Sequence, residues 1–106
     1  MTIRNSTSVA YVASQILADR PAALYGISGY NSKNAPQFIQ LHDAVTLPAD
    51  TAVPAVMFQV PALSPFSIDY GVNGRLFGNG VVVCNSSTGP TKTIGAADCW
   101  FDAQIL

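Results

Sequence analysis

The stretch VVVCNSSTGPTKTIG, residues 81–95, runs from β-branched residues into a Ser/Thr/Gly loop that ends in Lys92-Thr93. A phosphate loop of the form G-x-x-x-x-G-K-[ST] ends the same way, because its backbone N–H groups and lysine hold phosphate oxygens. That chemistry needs Gly immediately before the lysine, where the backbone must approach the phosphates. Here Thr91 stands in that place, Ser86 stands where the first Gly should fall, and Pro90 removes a backbone donor. No helix is expected after the loop either, because CWFDAQIL reads as a strand. The residues predict a polar connection between two strands and no nucleotide site.

His42 and Asp43 are the one adjacent pair suited to acid–base work. Neighbours on a strand point to opposite faces, so the two cannot pair directly. No serine stands in a nucleophile elbow. Asp98 and Asp102, four apart, could join an ion site with loop carbonyls, but no Ca²⁺-loop pattern surrounds them. Cys84 and Cys99 lie in apolar, strand-like runs and read as buried thiols; a disulfide would need their strands to face each other. Two cysteines and one histidine do not make an ordinary zinc site. The expectation is no catalytic residue, no cofactor and no metal. Asn5-Ser6-Thr7 and Asn85-Ser86-Ser87 have the form of glycosylation sequons. Trp100, Tyr11, Tyr25, Tyr30 and Tyr70 could form a carbohydrate-stacking face, although aromatics on alternating strands more often fill a core or an interface.

The composition narrows the classes further. Hydrophobic residues make up 49% of the 106 and charged residues 10%, against about 25% charged in typical soluble domains. All six acids are Asp; there is no Glu. A chain this poor in charge is weakly protected against association, so a fixed partner is expected to cover some of its surface. The net charge is −1, and Arg4, Arg20, Lys33, Arg75 and Lys92 are scattered along the sequence. Nucleic-acid affinity rests on grouped bases that neutralise phosphates, so direct nucleic-acid binding is not expected. No apolar run approaches the roughly 20 residues that span a bilayer. The first twenty residues lack the basic start and apolar stretch of a signal peptide, so synthesis in a cytosol is expected.

The elements that must position these residues read as strands. Val, Ile, Thr, Tyr and Phe are plentiful, and seven Pro and eight Gly punctuate the chain. Strands are expected over residues 6–16, 22–31, 37–43, 55–60, 66–70, 80–85 and 98–106. Residues 6–16 also fit a helical face through Val9, Val12 and Ile16. Residues 44–54 form a long connection, and 71–80, with Asn73-Gly74 and Asn79-Gly80, read as turns. Only the link from 55–60 to 66–70 looks hairpin-tight. On the last strand Trp100 falls on one face, with Phe101, Ala103 and Ile105 on the other. Seven or eight short antiparallel strands with frequent turns predict an all-β, single-domain sandwich over 1–106, with a jelly-roll-like order. In that order the first strand pairs with the last, and 22–31 with 80–85.

Three segments carry a family likeness: LYGISGYNSKNAPQFIQLHDA, LPADTAVPAVMFQVPALSPFSIDYG and GRLFGNGVVVCNSSTGPTKT. The series resembles small virion structural proteins of tailed bacteriophages. Its steps are a strand closing on Asn31, an aromatic strand from Phe38 to Asp43, a connection holding Pro48 and Pro54, and a run from Phe77 to Thr88. The resemblance covers the chain from about Leu24 onward and departs at Leu41-His42, where Leu-Tyr is expected. It implies a β-sandwich capsid decoration, or cement, protein that clamps neighbouring capsid subunits. Its partners would be the major capsid protein or other virion proteins, with copies of itself as a dimer or trimer, and no membrane. It would be made in the cytoplasm of a bacterial host and reside in the virion. A tail or baseplate component is the alternative within that class, and a carbohydrate-binding module engaging a host surface is the alternative outside it. No catalytic residue carries over.

Overall fold

A computed structural model describes residues 3–106. It contains nine strands: β1 (Arg4–Thr7), β2 (Ser14–Ala18), β3 (Ala22–Asn31), β4 (Gln37–His42), β5 (Val56–Val60), β6 (Ser64–Asp69), β7 (Arg75–Phe77), β8 (Val81–Ser86) and β9 (Cys99–Ile105). One sheet runs β1-β9-β3-β6, with β7 also paired to β3; the other runs β2-β8-β4-β5. Every pairing is antiparallel. Leaving β7 aside, the order pairs first strand with last and works inward through β2–β8, β3–β6 and β4–β5. That is the double Greek key of a jelly roll.

Period-two alternation explains which side chains fill the space between the sheets. Cys99, Phe101, Ala103 and Ile105 of β9 face inward against Ile39 and Leu41 of β4, Val81 and Val83 of β8, and Leu24 and Ile27 of β3. Trp100 lies on the other side of β9, as its place in the alternation requires. Gly29 is a point of close approach: a Cβ there would lie 1.9 Å from the Trp100 carbonyl oxygen and 2.5 Å from the Phe66 ring.

Four expectations are corrected. Residues 6–16 are not one strand. They hold the end of β1, a crossing segment and the start of β2, which belong to different sheets. In the crossing segment Val9 is 97% exposed and Tyr11 is exposed too, so the alternation there never faces a core. Ser8 and Val12 bond the chain to Phe101 and Cys99 as it passes.

That division moves the roll by one strand. Residues 22–31 therefore pair with β9, β6 and β7 rather than with 80–85, while β8 pairs with β2 and β4.

The link from β5 to β6 is not a hairpin, because the strands lie in opposite sheets. Phe58 and Phe66 both turn into the interior with ring centroids 5.6 Å apart, so the two strands stack face to face. Pro61 has no backbone donor for a hairpin ladder, and Leu63 adopts φ 50° where the chain changes sheets.

Finally, part of the expected turn at 71–80 forms β7, paired through Ala22–Phe77, Ala23–Leu76 and Leu24–Arg75. The Asn73-Gly74 turn is present, with Gly74 at φ 69°.

Candidate functional site

The loop of residues 87–94 folds back over the outer face of the second sheet. Ser86 Oγ accepts from Thr88 N and Thr93 N, and Thr88 Oγ1 donates to Thr91 O at 2.6 Å, so the loop is stitched to itself. Gln40, on the outer face of β4, fastens it down: Nε2 donates toward the carbonyls of Thr88, Gly89 and Thr91 at 2.9–3.1 Å. The long connection after β4 arrives over the same face from the other end of the sandwich. Thr51 N donates to Lys92 O and Lys92 N to Ala52 O, both at 2.8 Å. Thr51 holds φ 79°, a conformation a β-branched residue rarely takes.

Lys92 is buried, and its Nζ donates to Asp50 Oδ1 at 2.6 Å. This lysine of the phosphate-loop lookalike is thus turned inward and occupied. Asp50 also accepts from Ile94 N, and these donors hold its carboxyl below the usual carboxylate range, Lys92 first.

Under this cover lie His42, Gln40 and Cys84. Three carbonyls around one end of the Gln40 amide identify that end as NH₂. The other end is therefore the oxygen, and His42 Nε2, 3.1 Å away, carries the hydrogen. Burial, reinforced by the Lys92 charge, lowers the His42 pKa below 6.5. Burial pushes the Cys84 thiol up to about 11. A nucleophilic cysteine needs the reverse, a depressed thiol beside a cationic partner. Asp43 does not meet His42 chemically: its carboxylate accepts from the backbone N–H groups of Gly78, Asn79 and Gly80 and fixes that turn. Those bonds lower its pKa.

A second polar cluster closes one end of the interior between the sheets. Gln37 Nε2 donates to Asn31 Oδ1 at 2.8 Å and to Asp98 Oδ1 at 2.7 Å. Asn85 Nδ2 donates to Asp98 Oδ1 at 2.9 Å and to Ala96 O at 2.8 Å. Cys99 touches both amides at 3.5 Å, and burial raises its thiol to about 12. The two thiols are free and serve different environments, one outside the second sheet and one inside. Gln37 Oε1 has no hydrogen-bond partner among the described residues and faces Gly95, where a Cβ would lie 2.9 Å from it.

Asp98 and Asp102 are not brought together. Asp98 turns into the polar cluster, while Asp102 lies on the outer face of β9 and accepts from Thr7 Oγ1 at 2.6 Å. Among the described residues no group of three or more His, Cys, Asp or Glu is placed to hold a metal. Asn85 of the second sequon is fully buried, whereas Asn5 is exposed. Tyr70 packs against the core, and burial raises its pKa. Trp100 and Tyr30 are directly opposed on the outer face of the first sheet, and Tyr11 meets Trp100 edge-on at 6.4 Å.

Large apolar side chains stay exposed at both ends and elsewhere, Val53, Ile16 and Met57 among them. Val9, Tyr11 and Leu63 stand at the end where the polar cluster lies. Val72, 93% exposed, and Leu76 stand at the other. Beside them opens a cleft of about 830 Å³ whose lining includes Arg4, Arg20, Pro21, Tyr25, Leu76 and Phe77. Arg75 covers the Phe77 ring at 4.8 Å.

Sequence reasoning missed Gln40, Gln37, Asn31 and the Lys92–Asp50 contact. Amides on strands carry no spacing signal, and their partners here include backbone carbonyls and a carboxylate far away in the sequence. Lys92 did stand out, but for a chemistry it does not perform.

No family model matches the chain, and no curated protein matches it in sequence. Among solved structures it is similar to the coat protein of Tobacco streak virus, with a TM-score of 0.41 and 12% identity, over 97% of this chain and 85% of that one.

Proposed function

We propose that the chain is a non-enzymatic structural protein of a virion. Within that class it acts as a decoration, or cement, protein that clamps neighbouring subunits of a phage capsid. The observation that carries this reading is a set of exposed apolar side chains that includes residues at opposite ends of one sandwich. Val9 and Leu63 can engage one neighbour while Val72 and Leu76 engage another. Burying such surface only in the assembled shell makes binding favour the assembled state.

The jelly-roll order is compatible with the role but does not select it, because the same fold serves many functions. Two further features support the reading. Charge is sparse, so contacts to the major capsid protein, and to further copies of this chain, would be mainly apolar and neutral-polar. The strongest nucleophile candidate, Cys84, has its thiol pushed up to about 11, away from the reactive thiolate. The test is to locate the protein in purified particles by density and count it. A fixed copy number on the outer capsid surface is expected. Density confined to the tail would overturn the decoration role, and absence from particles would overturn the virion role.

A further inference from the structure

We propose that the outer face of the first sheet binds a neutral oligosaccharide, a property beyond the assembly role and independent of it. The register lays the side chains out in cross-strand rows. The first row pairs Trp100 with Tyr30 and continues to Pro65, with Tyr11 edge-on to Trp100. The second runs Thr7, Asp102, Ser28 and Ser67. The third runs Asn5, Gln104, Gly26 and Asp69. Gly26 contributes no side chain, and a groove of about 410 Å³ opens there, with Tyr25, Ser28, Ser67, Asp69 and Gln104 in its walls.

A pyranose has an apolar C–H face and a rim of hydroxyls. Aromatic rings match the first, and carboxylates, amides and hydroxyls match the second. Asp102 is already aimed: Thr7 Oγ1 donates to one oxygen and Gln104 Nε2 to the other, at 2.6 and 3.3 Å, and free lone pairs remain for sugar hydroxyls. Charge selects the class of sugar. The three rows hold two carboxylates, Asp69 and Asp102, and no Lys or Arg. An anionic saccharide or a nucleic-acid backbone would be repelled. From Tyr30 to Gly26 the face extends roughly 13 Å at about 3.3 Å per strand residue. That length suits a chain of several rings.

Trp100 is the sole tryptophan, so its emission reports on the platform directly. The test titrates the protein with neutral hexasaccharides of glucose, mannose, galactose and N-acetylglucosamine, and with a heparin hexasaccharide. A saturable emission change with at least one neutral sugar, and none with heparin, is expected. Calorimetry on Trp100→Ala and on the near-isosteric Asp102→Asn, each with a folded circular dichroism spectrum, should then show binding about tenfold weaker or lost, the scale of a charged hydrogen bond or a stacking contact. Silence towards all neutral sugars, unchanged affinity in Asp102→Asn, or tighter binding of heparin would overturn the proposal. So would concentration-dependent dimerisation abolished by Asp102→Lys, which would make this face a contact between copies.

Discussion

Lys92 Nζ lies 2.6 Å from Asp50 Oδ1, and that contact joins two loops that reach the outer face of the second sheet from opposite ends. The lysine side chain is 3% exposed and the aspartate 50%. Removing the aspartate would leave a buried ammonium without its partner, whereas replacing the lysine with an apolar chain of similar length removes the charge altogether. Asp50→Ala should therefore lower the melting temperature more than Lys92→Met does. Thermal unfolding of both variants checks this, and the opposite ranking would contradict the account of the loop cover.

Stability should fall as the pH drops below about 6.5. The folded-state pKa of His42 lies below its ordinary value of 6.5, so between the two values the unfolded chain binds a proton that the folded chain does not. Asp43 and Asp50, held below their ordinary 3.8, add a further loss at lower pH as their carboxylates protonate. Denaturant midpoints measured from pH 8 downward should show both phases. His42→Gln should flatten the first and leave the second; an unchanged first phase would assign it to another group.

The strands themselves were legible because β4, β8 and β9 alternate or run apolar between clear turn residues. Of their pairings, that of the first strand with the last was legible, as β1 with β9, but that of residues 22–31 was not. The jelly-roll register depends on where residues 8–13 leave one sheet for the other, and Val9 and Tyr11 imitate a strand there while facing solvent. The interior was legible in Phe101, Ala103 and Ile105, whose spacing fixes their face. The cover over the second sheet was not, because Gln40 is satisfied by carbonyls about fifty positions away, and any sequence supplies carbonyls.

Gly29→Ala should be among the most damaging small substitutions. Its Cβ would meet the Trp100 carbonyl and the Phe66 ring, both fixed by the sheet, so a cost of about 3 kcal/mol or failure to fold is expected. Gly71→Ala meets nothing within 4 Å and suffers only from its φ of 76°, costing about 1 kcal/mol. Chemical denaturation compares the two. A milder effect at Gly29 would contradict the packing of β3 against β9.

Both thiols should be inert in the native protein. With pKa values of about 11 and 12, neither Cys84 nor Cys99 presents appreciable thiolate near pH 8. A chromogenic thiol reagent should count no fast-reacting group before denaturation and two after it. Rapid native labelling, or a Cys84–Cys99 bridge on a non-reducing gel of fresh particles, would contradict the buried-thiol assignment.

The shell clamp is tested most directly by particle survival against temperature, with and without the protein, at about 0.05 and 0.5 M salt. Exposed charge pairs are screened across that range. Particles lacking the protein should form but burst at lower temperature. Added protein should restore resistance, saturate at a fixed copy number and act almost equally at both salts. Equal survival with and without it, at either salt, would contradict the clamp.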